Sequence, residues 1–273
     1  EEHGGLGMTL LDAAIVAEQL AYAVAPVPFL ASHVLTPIAL SEAGSKEQKA
    51  HWLPKIVSGE ARIGVAISET IVADSGGRLH LVGAKASGLK AIALTTIDRT
   101  RSVGELRFDG AEAEPLIDDN GATTARLRDA GRVILAADSL GAGQAMIEKA
   151  VDYSGQREQF GRLIGSFQAV KHMCAEMAAR HEPCRSLVWY AAHAFGAMPE
   201  DVSLVACHAK SHTGEVHRFV ARTSTEVHGG MGFTDLIGLH YWFKRIGFDR
   251  QVLGGPETVR AEAAALQGWI KAA

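Results

Sequence analysis

The stretch Val133-Ile134-Leu135-Ala136-Ala137-Asp138-Ser139-Leu140-Gly141-Ala142-Gly143-Gln144-Ala145-Met146-Ile147-Glu148-Lys149-Ala150-Val151 decides the fold class. Val133, Ala137, Leu140, Gln144, Ile147 and Val151 step along it by four and three residues, the spacing that lines side chains up on one face of an α-helix. The same steps recur at Phe167, Val170, Cys174 and Met177, and further helical segments cover roughly 183–197, 200–223 and 256–270. Helices of this length joined by short loops are what a four-helix bundle requires. Residues 118–273 therefore read as a C-terminal helical bundle.

Upstream, residues 1–60 are also helical. One helix runs from Thr9, a capping residue with Asp12 three positions on, to about Ala23, with Leu11, Ile15 and Tyr22 at helical spacing and Pro26-x-Pro28 as its stop. A second runs from about Ser32 to Ala43. A third opens with the capping box Ser45-x-x-Gln48 and closes at Gly59, with Trp52 and Ile56 on one face; Pro54 is expected to bend it or end it early. Residues 61–117 change character. Short apolar runs at Arg62–Ile67, Ile71–Val72, Leu79–Val82, Ala91–Leu94 and Gly104–Phe108, with the turn-forming Asp74-Ser75-Gly76-Gly77, read as a β region ending near Pro115. That region is short for a self-sufficient sheet, so either the module is small or segments are missing from it. The opening Glu1-Glu2-His3-Gly4-Gly5-Leu6-Gly7 reads as the middle of a loop, so the natural chain is expected to begin earlier. The expected architecture is mainly α with a small central β domain.

Composition bounds the partners. The 273 residues are 47% hydrophobic and 21% charged, which excludes disorder, collagen and coiled coil. Twenty-seven Lys and Arg against 31 Asp and Glu supply no concentrated basic face, so nucleic acid is excluded as a ligand. Cys174, Cys184 and Cys207 are isolated in sequence and build no disulfide framework, which fits a reducing cytoplasm. With no apolar run of membrane-spanning length and no signal-peptide pattern, a cytoplasmic location without a membrane partner is expected.

Two polar breaks in the helical pattern carry candidate chemistry. In Gln156-Arg157-Glu158-Gln159-Phe160-Gly161-Arg162-Leu163-Ile164-Gly165-Ser166-Phe167-Gln168, forked arginines could hold an anionic diphosphate while glycine admits close backbone approach. A solvated loop has the same composition. In Glu226-Val227-His228-Gly229-Gly230-Met231-Gly232-Phe233, exposed backbone amides could hold a phosphate or a flat ring. The alternative is a glycine C-cap followed by a sharp turn. His208-x3-His212 with Glu215 has metal-like helical spacing, but twelve histidines produce such pairs by chance and no metal is expected. Trp189-Tyr190 and Tyr241-Trp242-Phe243 are expected in the core.

Taken together, the two breaks resemble the acyl-CoA dehydrogenase family. Arg157-x-Gln159-Phe160-Gly161 followed by Phe167-Gln168 is similar to that family's Arg-x-Gln-Phe-Gly…Phe-Gln signature, and Glu226 to Phe233 to its Gln-x-x-Gly-Gly-x-Gly segment. Leu53-Pro54-Lys55-Ile56-Val57-Ser58-Gly59-Glu60 resembles the Leu-Pro-x-x-x-x-Gly-Glu that leads into the family's β domain. The resemblance spreads along nearly the whole chain in the family's order. It implies a flavoprotein that holds FAD at a subunit interface and oxidises an acyl-CoA thioester to its α,β-enoyl form, passing electrons to an electron-transfer flavoprotein or similar acceptor. It places Arg157, Gln159, Phe160 and Gln168 at the FAD of one active site, and Glu226, Gly229, Gly230 and Gly232 at the FAD of a neighbouring subunit.

The family's catalytic glutamate has two known positions. One, in a Tyr-Glu-Gly-Thr context, aligns with Leu253-Gly254-Gly255-Pro256; the other lies early in the first bundle helix, where this chain reads Ala130-Gly131-Arg132-Val133. Both are glycine here. Glu257 is the nearest substitute, though a first-turn acid is also a favourable helix-dipole partner; Asp249 and Asp138 are further candidates. The family includes two-gene heterotetramers, several acting on steroid-CoA side chains, in which one subunit has lost the base, and this chain resembles such a subunit beside a homologous partner. Glu226 replaces the usual glutamine, so an acceptor-only carboxylate would face cofactor oxygens. The family's Thr-Glu-Pro-Gly-x-Gly-Ser-Asp flavin wall should follow Ile67, where Ser68-Glu69 runs directly into Thr70-Ile71-Val72. A flavin monooxygenase or nitroalkane oxidase on the same fold, or a non-catalytic helical scaffold, are the alternatives.

Overall fold

The computed structural model describes residues 2–61, 78–117 and 121–271. The strands expected at Arg62–Ile67 and Ile71–Val72, and the turn Asp74–Gly77, lie outside the described residues. The chain divides into two compact units, Glu1–Leu10 with Val27–Gly131, and Leu11–Pro26 with Arg132–Ala273.

In the first unit the expected second helix is two elements. A π-helical run, Leu30–Leu35, precedes α2, Thr36–Ala43 (α1, Leu10–Tyr22, belongs mostly to the second unit). The wide turn arises beside Pro37, which has no N–H to give: Thr36 reaches back five residues instead, with its backbone N–H and its Oγ1 both donating to the Ala31 carbonyl. Helix α3, Lys46–Val57, starts on the expected capping box, with Ser45 Oγ accepting from the Gln48 N–H at 3.2 Å and Gln48 Oε1 from the Ser45 N–H at 2.9 Å. Pro54 does not end it; the helix continues to Val57, and the Pro54 carbonyl accepts the Ser58 N–H at 2.9 Å. The described strands of this unit form two antiparallel ladders. β1 (His80–Val82) pairs with β4 (Ala113–Pro115), and β2 (Leu89–Leu94) with β3 (Val103–Phe108) in the register Leu89 to Phe108. The strand that ends the β region is tied to α2 by the Ile117 N–H on the Ala43 carbonyl at 2.7 Å.

The second unit is the helical bundle. Helix α4, Ala122–Ser154, enters it at Arg132; α5 is Gln168–Ala197, α6 Val202–His228, α7 His240–Gln251 and α8 Pro256–Leu266. Helix α6 packs against α5, α7 and α8. From Arg132 to Gly143 every residue of α4 is buried, so the stripe read from its sequence understates it: this is a central helix, apolar on all sides apart from groups that find buried partners. Two of its glycines admit close neighbours. A Cβ on Gly141 would lie 1.8 Å from the Glu18 carbonyl oxygen of α1, and one on Gly143 would lie 2.5 Å from His217 Cδ2 of α6.

Two expectations need correction, and one helix has no counterpart in the sequence reading. The segments around 167–177 and 183–197 are one helix, α5, running through Pro183. Pro183 is exposed, and so is Ala179, whose carbonyl it leaves without a helical partner, so water can satisfy the break. Helix α7 was not legible because its inward face is charged: its buried residues are Arg245, Ile246 and Asp249. Finally, Trp189, Tyr190, Tyr241 and Phe243 are not core residues; each is exposed in this chain, while short aliphatic side chains fill the bundle interior.

Buried charges meet partners. Arg245 donates to both oxygens of Asp138, at 2.7 and 2.8 Å, and to the Ala25 carbonyl at 3.0 Å; Arg185 pairs with Glu18. Lys210 donates to the Asp249 and Arg250 carbonyls at the C-terminal end of α7, where a cation is favoured, and burial pulls its ammonium down to about 8. His181 Nδ1 and His217 Nε2 share a hydrogen bond of 3.1 Å in the interior, and burial lowers His181 to about 4 and His217 well below its usual range.

Candidate functional site

The first polar break folds as a hairpin. β5, Glu158–Gln159, pairs with β6, Arg162–Leu163, and the Ile164 N–H closes back on the Arg157 carbonyl at 2.8 Å. The two-residue turn between them is Phe160 at φ 55° and Gly161 at φ 75°. Positive φ at both central positions gives the twist a tight hairpin needs, and glycine takes the second at no steric cost. Phenylalanine at the first is strained by about 1 kcal/mol. Phe160 is nevertheless 93% exposed, so its own chain offers it little packing in return beyond an edge contact with Phe167, ring centres 6.1 Å apart. An exposed, strained aromatic at the tip of a hairpin is the kind of feature that a ligand or a partner explains. Just after the turn, the Arg162 guanidinium lies 3.9 Å over the Phe167 ring. Gln168 opens α5 beside His172, 3.2 Å away, and Arg157 and Gln159 are exposed.

The second break caps α6. Gly229 takes φ 58° and ψ −140°, a conformation open to glycine, and begins the short 3₁₀ turn Gly229–Phe233. A Cβ on Gly229 or Gly230 would meet nothing within 4 Å, so their backbone is open to an approaching group. Gly232 differs: it is buried, and a Cβ there would stand 2.8 Å from the Thr225 carbonyl oxygen, so packing alone accounts for that glycine. Glu226 is exposed on the last turn of α6 and borders a groove of about 480 Å³ that also carries Arg180, Arg218, Phe219 and Arg222. Arg180 lies 4.2 Å over the Phe219 ring.

The two breaks are rooted at one end of the bundle. Tyr153, in the last turn of α4 just before the hairpin, stacks on His228, the last residue of α6, with ring centres 4.6 Å apart and planes 27° from parallel. His228 Nδ1 is 2.8 Å from the Ser224 carbonyl, and burial lowers its pKa. Neither ring was singled out from the sequence. Tyr153 reads as one more residue of a long helix, and only the contact gives it a part.

The turn expected to match the family's base position has its own geometry. Leu253 has φ 60° and Gly254 φ 103°, between α7 and α8. A Cβ at Gly254 would lie 3.0 Å from Val259 Cγ2 and 3.5 Å from Arg132 Nη2. The three carboxylates considered as substitutes are engaged otherwise. Asp138 is held by Arg245, and Asp249 is buried against Ser139 Oγ at 3.3 Å. Glu257 is exposed in the first turn of α8, where its own backbone N–H, Arg250 and Arg260 hold its carboxyl below the usual range. Glu215, of the metal-like spacing, accepts from Arg250 at 2.7 Å, and among the described residues no three His, Cys, Asp or Glu side chains gather as a metal site. Nor, among the described residues, is any helix long and apolar enough to cross a membrane.

Known proteins match along the chain. A family model for the acyl-CoA dehydrogenase N-terminal domain covers residues 1–60, and one for the C-terminal domain covers 122–266. The acyl-CoA dehydrogenase IpdE2 of Mycobacterium tuberculosis is 33% identical over 95% of this chain and 78% of its own length, and IpdE2 of Mycolicibacterium smegmatis 32% over 94% and 78%. Among solved structures, the steroid ACAD Tcur3481-Tcur3483 superposes with a TM-score of 0.88 at 27% identity, over 98% of this chain and 83% of that one. The ChsE4-ChsE5 complex of Mycobacterium tuberculosis does so with 0.88 at 25%, over 99% and 84%. With both domain models in place and a relative one-third identical over 95% of this chain, the chain belongs to the acyl-CoA dehydrogenase family.

Proposed function

We propose that this chain is the base-lacking subunit of a hetero-oligomeric, FAD-dependent acyl-CoA dehydrogenase acting on a steroid-type acyl-CoA, with a homologous partner subunit supplying the catalytic glutamate. Gly254 carries the reading. It stands where the family's base would be, at a φ that disfavours any side chain and with Val259 against the direction a side chain would take. Asp138, Asp249 and Glu257, bound to Arg245, Ser139 and Arg250, are poorly placed to stand in. The steroid class and the paired subunits are drawn from the steroid ACAD and the ChsE4-ChsE5 complex, which this chain resembles.

The residues at the Tyr153–His228 end of the bundle fit a dinucleotide. Arg157 offers a forked cation to a diphosphate, Gln159 and Gln168 offer amides, and the open backbone at Gly229 and Gly230 lets a flat group approach. Because both breaks are rooted on one stacked pair, the residues expected at one FAD and those expected at a neighbouring subunit's FAD are held by the same end of this bundle. Glu226 fits least well, since a carboxylate beside a diphosphate repels it unless it turns into the groove along α6. Bound FAD would supply the hydride acceptor for the substrate's β carbon while a carboxylate takes the α proton. This chain's part is then to bind and orient the cofactor and close the assembly.

Co-expression with the homologous partner tests this. The complex should retain flavin and bleach without oxygen when the acyl-CoA is added, whereas this chain alone should not bleach. Bleaching by the chain alone would refute the base-lacking assignment, and a complex that retains no flavin would refute the flavoprotein assignment. Oxygen consumption with a substrate that carries no CoA would favour a monooxygenase or nitroalkane oxidase instead.

A further inference from the structure

We propose that Tyr153 and His228 are positioning residues for the flavin: stacked across the ends of α4 and α6, their rings fix the hairpin that carries Arg157 against the open backbone of Gly229 and Gly230. The inference rests on the flavoprotein reading and deepens it, because neither ring is given a contact with the cofactor and both act through residues that are.

Each ring stands one short step from its break. The Tyr153 carbonyl accepts the Gln156 N–H at 3.1 Å and the Arg157 N–H at 2.9 Å, and the Arg157 carbonyl in turn accepts the Ile164 N–H at 2.8 Å. A displacement of Tyr153 therefore passes to both strands of the hairpin. The returning strand is also close against the end of α4, since a Cβ on Gly165 would lie 2.8 Å from the Ser154 carbonyl oxygen. On the other side Gly229 follows His228 directly, and the turn folds back so that a Cβ on Gly232 would stand 3.1 Å from His228 Cβ. His228 is itself held: it is buried, and its Nδ1 lies 2.8 Å from the Ser224 carbonyl, which only accepts, so Nδ1 carries the proton. Burial lowers the pKa of this imidazole, so at neutral pH it meets Tyr153 as an uncharged ring. One turn earlier on α6, the buried Ser224 hydroxyl donates to the Met146 carbonyl of α4 at 2.8 Å. Helices α4 and α6 are thus fastened twice near one end, and the ring pair is the fastening nearer both breaks. Tyr153 is only half-buried, so burial alone gives little reason for an aromatic residue there, whereas a stacked partner does.

Variants of this chain in complex with its partner test this. Tyr153→Leu and His228→Asn should each weaken FAD binding about three- to tenfold, the worth of one aromatic pair, while Tyr153→Phe, which keeps the ring, should stay within about twofold of the unaltered complex. Because Tyr153 acts through the hairpin, Tyr153→Leu/Arg157→Met should lose less than the product of the two single losses. Hydrogen exchange reads the same displacement without any flavin. The Arg157 and Ile164 amides should exchange at least about fivefold faster in Tyr153→Leu and in His228→Asn but not in Tyr153→Phe, with the middles of α4 and α6 changing less. Unchanged exchange at both amides, FAD binding unaffected by Tyr153→Leu, no rescue by phenylalanine, or losses that multiply fully with Arg157→Met would each overturn the positioning role. An unaltered complex that retains no FAD would instead refute the flavoprotein reading, and the exchange of the two amides would still decide whether the rings hold the hairpin.

Discussion

Asp138→Ala separates a structural carboxylate from a catalytic one. Asp138 accepts two charge-assisted bonds from Arg245, at 2.7 and 2.8 Å, with the two side chains only 8% and 4% exposed. Removing the acid leaves a buried guanidinium with its main counter-charge gone, and breaking a buried pair in this way costs about 3–5 kcal/mol. For a chain of this size that corresponds to a fall in melting temperature on the order of 10 °C. Replacing both partners with apolar residues, Asp138→Leu/Arg245→Met, removes the charge along with its partner and should recover most of the loss, because well-packed hydrophobic replacements of a buried pair are often neutral. Urea unfolding of the two single variants and the double variant, each in complex with the partner, measures the cycle. A loss below about 1 kcal/mol for Asp138→Ala, or a double variant as unstable as the single, would refute the pairing argument. If Asp138→Asn kept its stability and lost turnover, Asp138 would instead have to be placed among the catalytic groups.

Three further outcomes follow from the same geometry. Burial holds His181 at about 4, below its unfolded value, so the unfolded chain binds more protons in the window from about 6.5 down to 4; stability is full above that window and falls as pH drops through it, by about 2 kcal/mol between pH 7 and 5 from His181 alone. His217, shifted the same way, adds to the loss, and a flat urea midpoint over that range would contradict the assignment. Gly141→Ala should destabilise more than Gly143→Ala, on the order of 3 kcal/mol or more against 1–2, because the first meets a helix backbone and the second a ring; equal midpoints would argue against the close α1–α4 approach. Arg157→Met should leave the unfolding midpoint unchanged, since the side chain is exposed, yet lower flavin retention in the complex roughly 10- to 100-fold, the worth of one charge-assisted hydrogen bond; unaltered flavin content would remove Arg157 from the site.

The helical bundle was legible because its long helices repeat apolar residues at three and four, and Ser45 with Gln48 marked a helix start that formed as read. What escaped was encoded in other terms. Helix α7 turns Arg245 and Asp249 inward, so a search for an apolar stripe passes over it. The hairpin at 158–163 has two-residue strands, too short to show alternation, and its turn depends on a strained phenylalanine that no turn preference anticipates. Trp189 and Tyr190 are large and apolar, yet size drew an expectation of burial that their outward position on α5 does not meet. At the site, the glycines and Arg157 were visible as composition. That Gly232 is a packing glycine while Gly229 and Gly230 are open depends on how the turn folds back onto Thr225 and His228, which a motif does not record.

The contacts that hold α1 have a consequence for biosynthesis. The Tyr22 carbonyl accepts the Trp242 indole N–H at 3.0 Å across 220 residues of sequence, and Glu18 meets Arg185 across 167. At a translation rate of about 5–20 residues per second, α1 leaves the ribosome roughly 10–40 s before α7 exists to receive it. Until α4 is made, Ala14, Ala17 and Ala21, all buried in the finished bundle, have no partner helix, and the whole of 27–131 is made in between. The first helix of the bundle thus waits on later ones, and a nascent chain arrested before α4 is made should leave it open to protease or chaperone, while its Tyr22 end stays unfastened until Trp242 of α7 arrives.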